Sequence, residues 1–260
     1  MLPVWVIPAQ KARALLSKVA TALCRDDNEA MTETARQRQH RETMADILRI
    51  AHQQLAREGA AALSLRAIAR ELGLVSSAIY RYVPSRDELL TLLIEESYNA
   101  FGDAVEAAES RCRRDDLGRR WLAIGRSVRR WAVANPAEWA LLYGSPVPGY
   151  HAPPERTTAA GSRVPLLVLR LLADAKVKPT SEDPPMTAAL HRELDRLRPG
   201  LPGELAPEVL ARGLLAFSSL CGLVSLELFG QFTNTVTQFA GHLDHQLARL
   251  AAVLGLPDPA

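Results

Sequence analysis

Between Gly73 and Pro84 the chain places Ser76, Ser77, Ala78, Tyr80, Arg81 and Tyr82 in one short run. Hydroxyls and a guanidinium at that density suit phosphate oxygens and the edges of bases, the two kinds of contact that hold and read a duplex. Ser76, Ser77, Ala78 and Arg81 are the candidates for base edges, and Arg81 suits a guanine best. Ser64, Arg66, Tyr80, Tyr82 and Arg86 fall at helix starts or beside the turn and are assigned to phosphates. Catalytic patterns are absent: the chain has no glycine-rich phosphate loop, GxSxG elbow, HExxH or CxxC. His242 and His245 share the i, i+3 spacing of a metal clasp, but no cysteine or carboxylate set accompanies them, so no metal and no cofactor is expected.

These side chains need two short helices to hold them. Leu65, Ile68, Ala69 and Leu72 recur at i, i+3, i+4 and i+7, one apolar helix face, with Ser64 as N-cap and Gly73 as the stop. The next piece keeps Ile79 and Val83 for the core, and Pro84 ends it. Ser85 followed by Glu88 has the spacing of a capping box for a third helix. Two helices around a short glycine-containing turn form a helix-turn-helix, the arrangement that fits a major groove. Upstream, residues 36–58 read as a helix with Met44, Ile47, Leu48, Ala51 and Leu55 on one face, packing across the pair. Arg36, Arg38 and Arg41 open it within reach of phosphates or as a solvated start.

Residues 64–90 resemble the TetR family of one-component transcriptional repressors. The family pattern is met by Ser64, Ile68, Ala69, Gly73, Tyr80, Val83, Pro84, Arg86, Glu88, Leu89 and Leu90. Val75, Ser76 and Val83 depart from it, standing where relatives often carry Ser, a basic residue and Phe. The resemblance implies an all-α protein: an N-terminal three-helix DNA-binding domain followed by a larger helical domain for ligand binding and dimerisation. It implies a helix over about 85–108 that shifts the head like a pendulum, and a small-molecule effector that releases a repressor. Two heads on a dimer call for an inverted-repeat operator in double-stranded DNA. The alternatives are an activator, or an all-α dimeric ligand-binding protein whose DNA recognition has degenerated.

The 260 residues are 48% hydrophobic and 23% charged, ordinary for a globular chain, and the formal net charge is only +2. A nucleic-acid site must therefore be a local patch. Cys24, Cys112 and Cys221 are widely spaced, which argues against a disulfide framework and for a reducing cytoplasm. No apolar run reaches the roughly 18–20 residues of a membrane span, and no membrane partner is expected. The domain reading is 1–30 as a disordered extension or mis-assigned start with Met31 as the true one, 31–90 as the head, and 91–255 as the regulatory domain. Within 1–30, residues 12–24 have the spacing of a short amphipathic helix.

Farther on, arginines crowd residues 111–130, interleaved with Leu117, Trp121, Ile124, Val128 and Trp131; the spacing predicts a buried stripe with the arginines on the wet face. Residues 144–157 read as an irregular loop, 162–175 as a buried helix, 178–185 as a second loop and 186–197 as a shorter helix. In the helix over 207–229, Leu210, Leu214, Phe217, Cys221, Val224 and Leu228 make a heptad seam. A final helix after Gly230 is expected to carry Phe232, Val236, Phe239 and Leu243. Leu210, Leu214, Cys221, Val224, Leu228, Val236, Phe239 and Leu243 are assigned to a homodimer interface. The stretches NPAEWALLYGSPVPGY and GLLAFSSLCGLVSLELFG are similar to the WHG-type C-terminal domain of one branch of the family, with Phe217 and Cys221 in place of its Trp and His. From the family comes a ligand pocket lined by Trp121, Trp131, Trp139, Tyr143 and Phe217.

Overall fold

In a computed structural model of the protein, residues 34–201 and 203–258 are described; the readings for residues 1–30 and for a start at Met31 lie outside them. The described residues form eleven α-helices and no strand. The first is α1 (Ala35–Glu58), opened by a capping box in which Thr34 and Gln37 satisfy one another's backbone N–H. After a 3-10 turn at Ala60–Ala62 come α2 (Leu65–Glu71), α3 (Ser76–Ile79) and the long α4 (Arg86–Glu109). Ser64 caps α2, and Gly73, at φ +67°, lets Leu74 N–H return to the Ala69 carbonyl at 2.8 Å. Half of the expected box at α4 forms. Ser85 Oγ accepts from Glu88 N–H at 3.0 Å, but the Glu88 carboxylate goes to Arg156 instead.

The remaining helices are α5 (Leu117–Ala134), α6 (Pro136–Tyr143), α7 (Pro154–Gly161), α8 (Arg163–Asp174), α9 (Ala188–Leu197), α10 (Pro207–Leu228) and α11 (Phe239–Leu254). Residues 144–157 are not wholly irregular: Pro154 takes the first position of α7, where its missing N–H costs nothing. Nor does the last helix start just after Gly230. Residues 230–238 are turn, so Phe232 and Val236 precede α11 rather than share its face.

Two apolar cores result. One is aliphatic, built from Ile47, Ile50, Ile68, Ile79, Val83, Leu89, Leu90 and Leu93 of α1–α4. The other holds Phe101, Trp121, Trp131, Trp139, Leu172, Leu220 and Leu247 among α4–α6, α8, α10 and α11. Helix α4 contributes to both. Its flank is gripped by arginines: Arg156 pairs with Glu88 and Glu95, and Arg163 with Asp103 and Glu106. Tyr150 adds a buried hydroxyl contact to Thr91 at 2.9 Å.

The arginine-rich stretch is not uniformly wet. Arg120 is completely buried, its Nε 2.5 Å from Glu109 Oε1 and its Nη2 2.8 Å from Asp174 Oδ2. It ties the ends of α4, α5 and α8 together, a buried pair whose rupture would leave a charge without its partner. Helix α10 also differs from expectation. With 22 residues and a mean hydropathy of 1.8, it meets the length and composition of a membrane span. One side of it, including Val209, Leu210, Gly213, Ala216, Phe217, Leu220 and Val224, is core.

Candidate nucleic-acid interface

The α2–α3 pair presents a short polar surface. Ser76, Ser77, Tyr80 and Arg81 are exposed around α3, and Arg66 and Arg70 are exposed on α2. From Ser64 to Ser85 there are three arginines against the single acid Glu71, so this surface is locally basic in a chain of nearly balanced charge. Tyr82 is half-buried and stacks on His40 of α1, ring centroids 4.8 Å apart, which fixes its direction. Ser64 Oγ caps α2 from a half-buried position.

Two residues assigned to this surface are placed elsewhere. Ala78 is only 8% exposed, turned into the core with Ile79, because a four-residue helix has one inward face and the two share it. It cannot reach a base edge. Arg86 spends its guanidinium internally: Nε donates to the Leu63 carbonyl at 3.3 Å, and Nη2 donates to the Ala60 and Ala61 carbonyls at 2.9 and 3.0 Å. It clamps the 3-10 turn to the start of α4 rather than offering those donors to a phosphate. One residue of the surface stood in the sequence reading only as a departure from the family pattern, with no contact assigned to it. Val75, the N-cap of α3, is 72% exposed. The signal was its position: an apolar residue where a serine would cap the helix.

The head is joined to the second core through His52 of α1. Its Nδ1 lies 3.0 Å from Glu138 Oε1 on α6, and its Nε2 lies 3.1 Å from Glu96 Oε2 on α4. The hydrogen bonds to Glu138 and then Glu96 push the imidazole up to about 9, against its ordinary value near 6.5. The same contact holds the Glu138 carboxyl below the usual carboxylate range. The joint is thus a charged one at neutral pH.

Helix α6 also carries Trp139 and Tyr143. These two join Phe101, Trp131 and Phe217 in a cluster with ring centroids 4.5 to 6.4 Å apart. Four of the five expected pocket residues therefore come together. Trp121 does not: it is fully buried with its Nε1–H donating to the Leu247 carbonyl at 2.8 Å. The Tyr143 hydroxyl is buried with no hydrogen-bond partner among the described residues, as are Ser97 Oγ and Thr158 Oγ1. Burial holds the Tyr143 hydroxyl well above its ordinary pKa, and pushes neighbouring Tyr98 up to about 12. Cys221 is likewise raised by burial, so its thiol stays protonated.

The residues assigned to a dimer interface divide. Leu210, Val224 and Leu243 are at most 4% exposed and buried within this chain, so they offer no surface to a second copy. Of the heptad seam, Leu210, Phe217 and Val224 face inward, covered by α5, α8 and α11. Cys221, Leu228, Val236 and Phe239 are half-buried, and Leu214 is exposed. The uncovered stripe of α10 is Leu215, Ser219, Gly222, Leu226 and Phe229, again in heptad spacing but on another face; Leu215, Leu226 and Phe229 are exposed. His242 packs edge-on to Phe232, and His245 is exposed.

A helical chain with a helix-turn-helix whose first helix is capped, a locally basic, hydroxyl-bearing face across α2–α3 and a separate aromatic core has the form of a DNA-binding regulator. Comparison with known proteins agrees. Residues 47–93 match the family described as bacterial regulatory proteins, tetR family, and residues 121–250 match the Tetracyclin repressor-like C-terminal domain. The HTH-type transcriptional regulators Rv1816 of Mycobacterium tuberculosis and Mb1846 of Mycobacterium bovis are each 44% identical over 215 residues, covering 81% of this chain and 91% of theirs. Among solved structures, that of SCO4313 is 32% identical with a TM-score of 0.69, covering 84% of this chain and 100% of its own. A Rhodococcus sp. RHA1 protein of unknown function, 22% identical over 82% of this chain and 94% of its own, shares the fold at a TM-score of 0.60. The chain belongs to the TetR family and is a helix-turn-helix transcriptional regulator.

Proposed function

We propose that this regulator is a homodimeric repressor, bound to an inverted-repeat operator and released by a small molecule. The observation that carries the DNA part is the exposed, locally basic face of α2–α3. Ser76, Ser77 and Arg81 read base edges, while Ser64, Arg66, Tyr80 and Tyr82 contact phosphates. Residues 31–90 form the head and 91–255 the regulatory domain, and the protein acts on chromosomal DNA in the cytoplasm.

The effector enters beside the aromatic cluster of Trp131, Trp139, Tyr143 and Phe217. In favour of this site is the buried Tyr143 hydroxyl, a polar group left without a partner. The ligand is a largely apolar molecule with one group able to hydrogen-bond that hydroxyl. Helix α6 carries Trp139 and Tyr143 on one side and Glu138 on the other, so a ligand that moves α6 pulls on His52 of the head. Pairing of two copies uses the uncovered stripe of α10, with exposed Val253 of α11 beside it.

Fluorescence polarisation with the DNA flanking the protein's own gene, titrated with salt and non-specific competitor, tests this reading. Specific binding by two subunits, weakening steeply with salt, is the expected result. Affinity equal to that for random DNA, both for this fragment and after selection from random sequences, would remove the operator from the account. The complex then serves to screen for molecules that release it.

A further inference from the structure

Val75 is the most exposed large hydrophobic residue among those described, at 72%, and it stands at the N-cap of the second helix of the helix-turn-helix. Both facts run against local physics. An N-cap favours Ser, Thr, Asp or Asn, whose oxygen accepts a free backbone N–H, and α3 has no side-chain cap. An isopropyl group left in water in the middle of a hydroxyl-rich surface gains nothing from the fold. None of the described residues covers it, and the turn does not need it: Val75 has ordinary extended backbone angles, φ −65° and ψ 138°, open to any residue. A side chain that weakens its own element and packs on nothing fits a role outside the chain.

We propose that Val75 determines operator specificity by packing against the C5-methyl group of a thymine in the major groove. The inference rests on the reading of α3 as the recognition helix. In that geometry the first residues of the second helix reach base edges. The thymine methyl is the one apolar feature on the major-groove edges of the four bases, and it is read by apolar contact. Ser76 and Ser77, exposed beside Val75, and Arg81, one turn further along, supply the polar contacts around it.

The test starts from operator DNA selected from random sequence with the wild-type protein. Each thymine is then replaced singly by deoxyuridine, which deletes only the methyl group, and binding is measured for wild type, Val75→Ala and Val75→Ser. One thymine per half-site should be methyl-dependent in the wild type, with about a fourfold loss for each half-site changed, the worth of one buried methyl group (~0.8 kcal/mol). Val75→Ala and Val75→Ser should bind the thymine and uracil operators equally. Val75→Ser should melt at the same temperature as wild type or higher, because the serine restores a cap, so its loss of discrimination cannot come from unfolding. The same uracil penalty in wild type and both variants, or no penalty anywhere, overturns the proposal. If no sequence is selected at all, the recognition-helix reading falls and the proposal falls with it.

Discussion

The α2–α3 face and the outer face of α10 are both left uncovered by the described residues, and they are chemical opposites. The first offers Arg66, Arg70, Ser76, Ser77 and Arg81, with Val75 as its most exposed aliphatic group. The second offers Leu215, Leu226 and Phe229 around Ser219 and Gly222. A solvated polar face costs little when free, whereas exposed leucines at heptad spacing gain only when another apolar surface meets them. The contrast fits the two partners proposed above: a polyanion for the first face and a second copy of the chain for the second. It also explains why α10 has the length and hydropathy of a membrane span. One side is apolar for this chain's core, and the other is apolar for the proposed second copy.

The largest expected effect comes from reversing the chemistry of the α10 face. Leu215→Glu with Leu226→Glu should cost association on the order of 4 kcal/mol, because two buried contacts become buried carboxylates. Both positions are about half exposed in the single chain, at 53% and 42%, so helix content should not change. Sedimentation velocity should then show the 28.4 kDa monomer where wild type sediments as a dimer. A dimeric double variant would place the interface elsewhere.

Next, Arg81→Ala should lose about 1–3 kcal/mol of discrimination at one base pair of each half-site. Binding across a panel of single-base operator variants reads this directly, and equal weakening for every sequence would reassign Arg81 to phosphate. Arg86→Ala sharpens the contrast between surface and scaffold. Since Arg86 holds three carbonyls, the variant should unfold more easily by about 1.5–3 kcal/mol in urea, with the slope of log K against log salt unchanged. A slope flattened by about 1 would instead return Arg86 to the DNA.

The last effect depends on pH and concerns the joint between the two halves. With the His52 pKa raised to about 9, the stabilisation from its charged form is complete below about pH 6.5 and fades as pH rises through about 9. Glu138, held low, stays ionised over that whole range. Melting temperatures of wild type and His52→Gln should therefore differ most near pH 6.5 and converge by pH 10. A constant gap across that range would mean that His52 acts by packing alone.

How much of this was legible in the sequence depends on the distance over which each signal acts. Ser64, Gly73, Pro84 and Ser85 act within a few residues, so the helix-turn-helix could be placed, although α3 ends at Ile79, four residues short of Val83, where Pro84 was expected to stop it. The ion pairs of Arg120 could not be read, because its carboxylate partners lie 11 and 54 positions away; its spacing of three from Leu117 and four from Ile124 did place it at the edge of the apolar stripe. Arg86 likewise looked like a phosphate ligand until its carbonyls, some 23 to 26 positions upstream, were in view. On α10, periodicity identified residues that share a face but not what covers that face. Leu210, Phe217 and Val224 of the 210–228 seam turned inward, Leu214 did not, and a second stripe, one step around the helix, turned out. Val75 was legible as a departure from the family pattern, but only its exposure gave the departure a meaning.

Methylation interference at guanine N7 across the selected operator tests the central claim most directly, because it reads the major groove. The account predicts two clusters of blocked guanines, related by a two-fold axis and about one helical turn of 10–10.5 base pairs, or a multiple of it, apart. Both clusters should disappear with Arg81→Ala. A single cluster, or binding indifferent to N7 methylation, would contradict a paired recognition helix in the major groove.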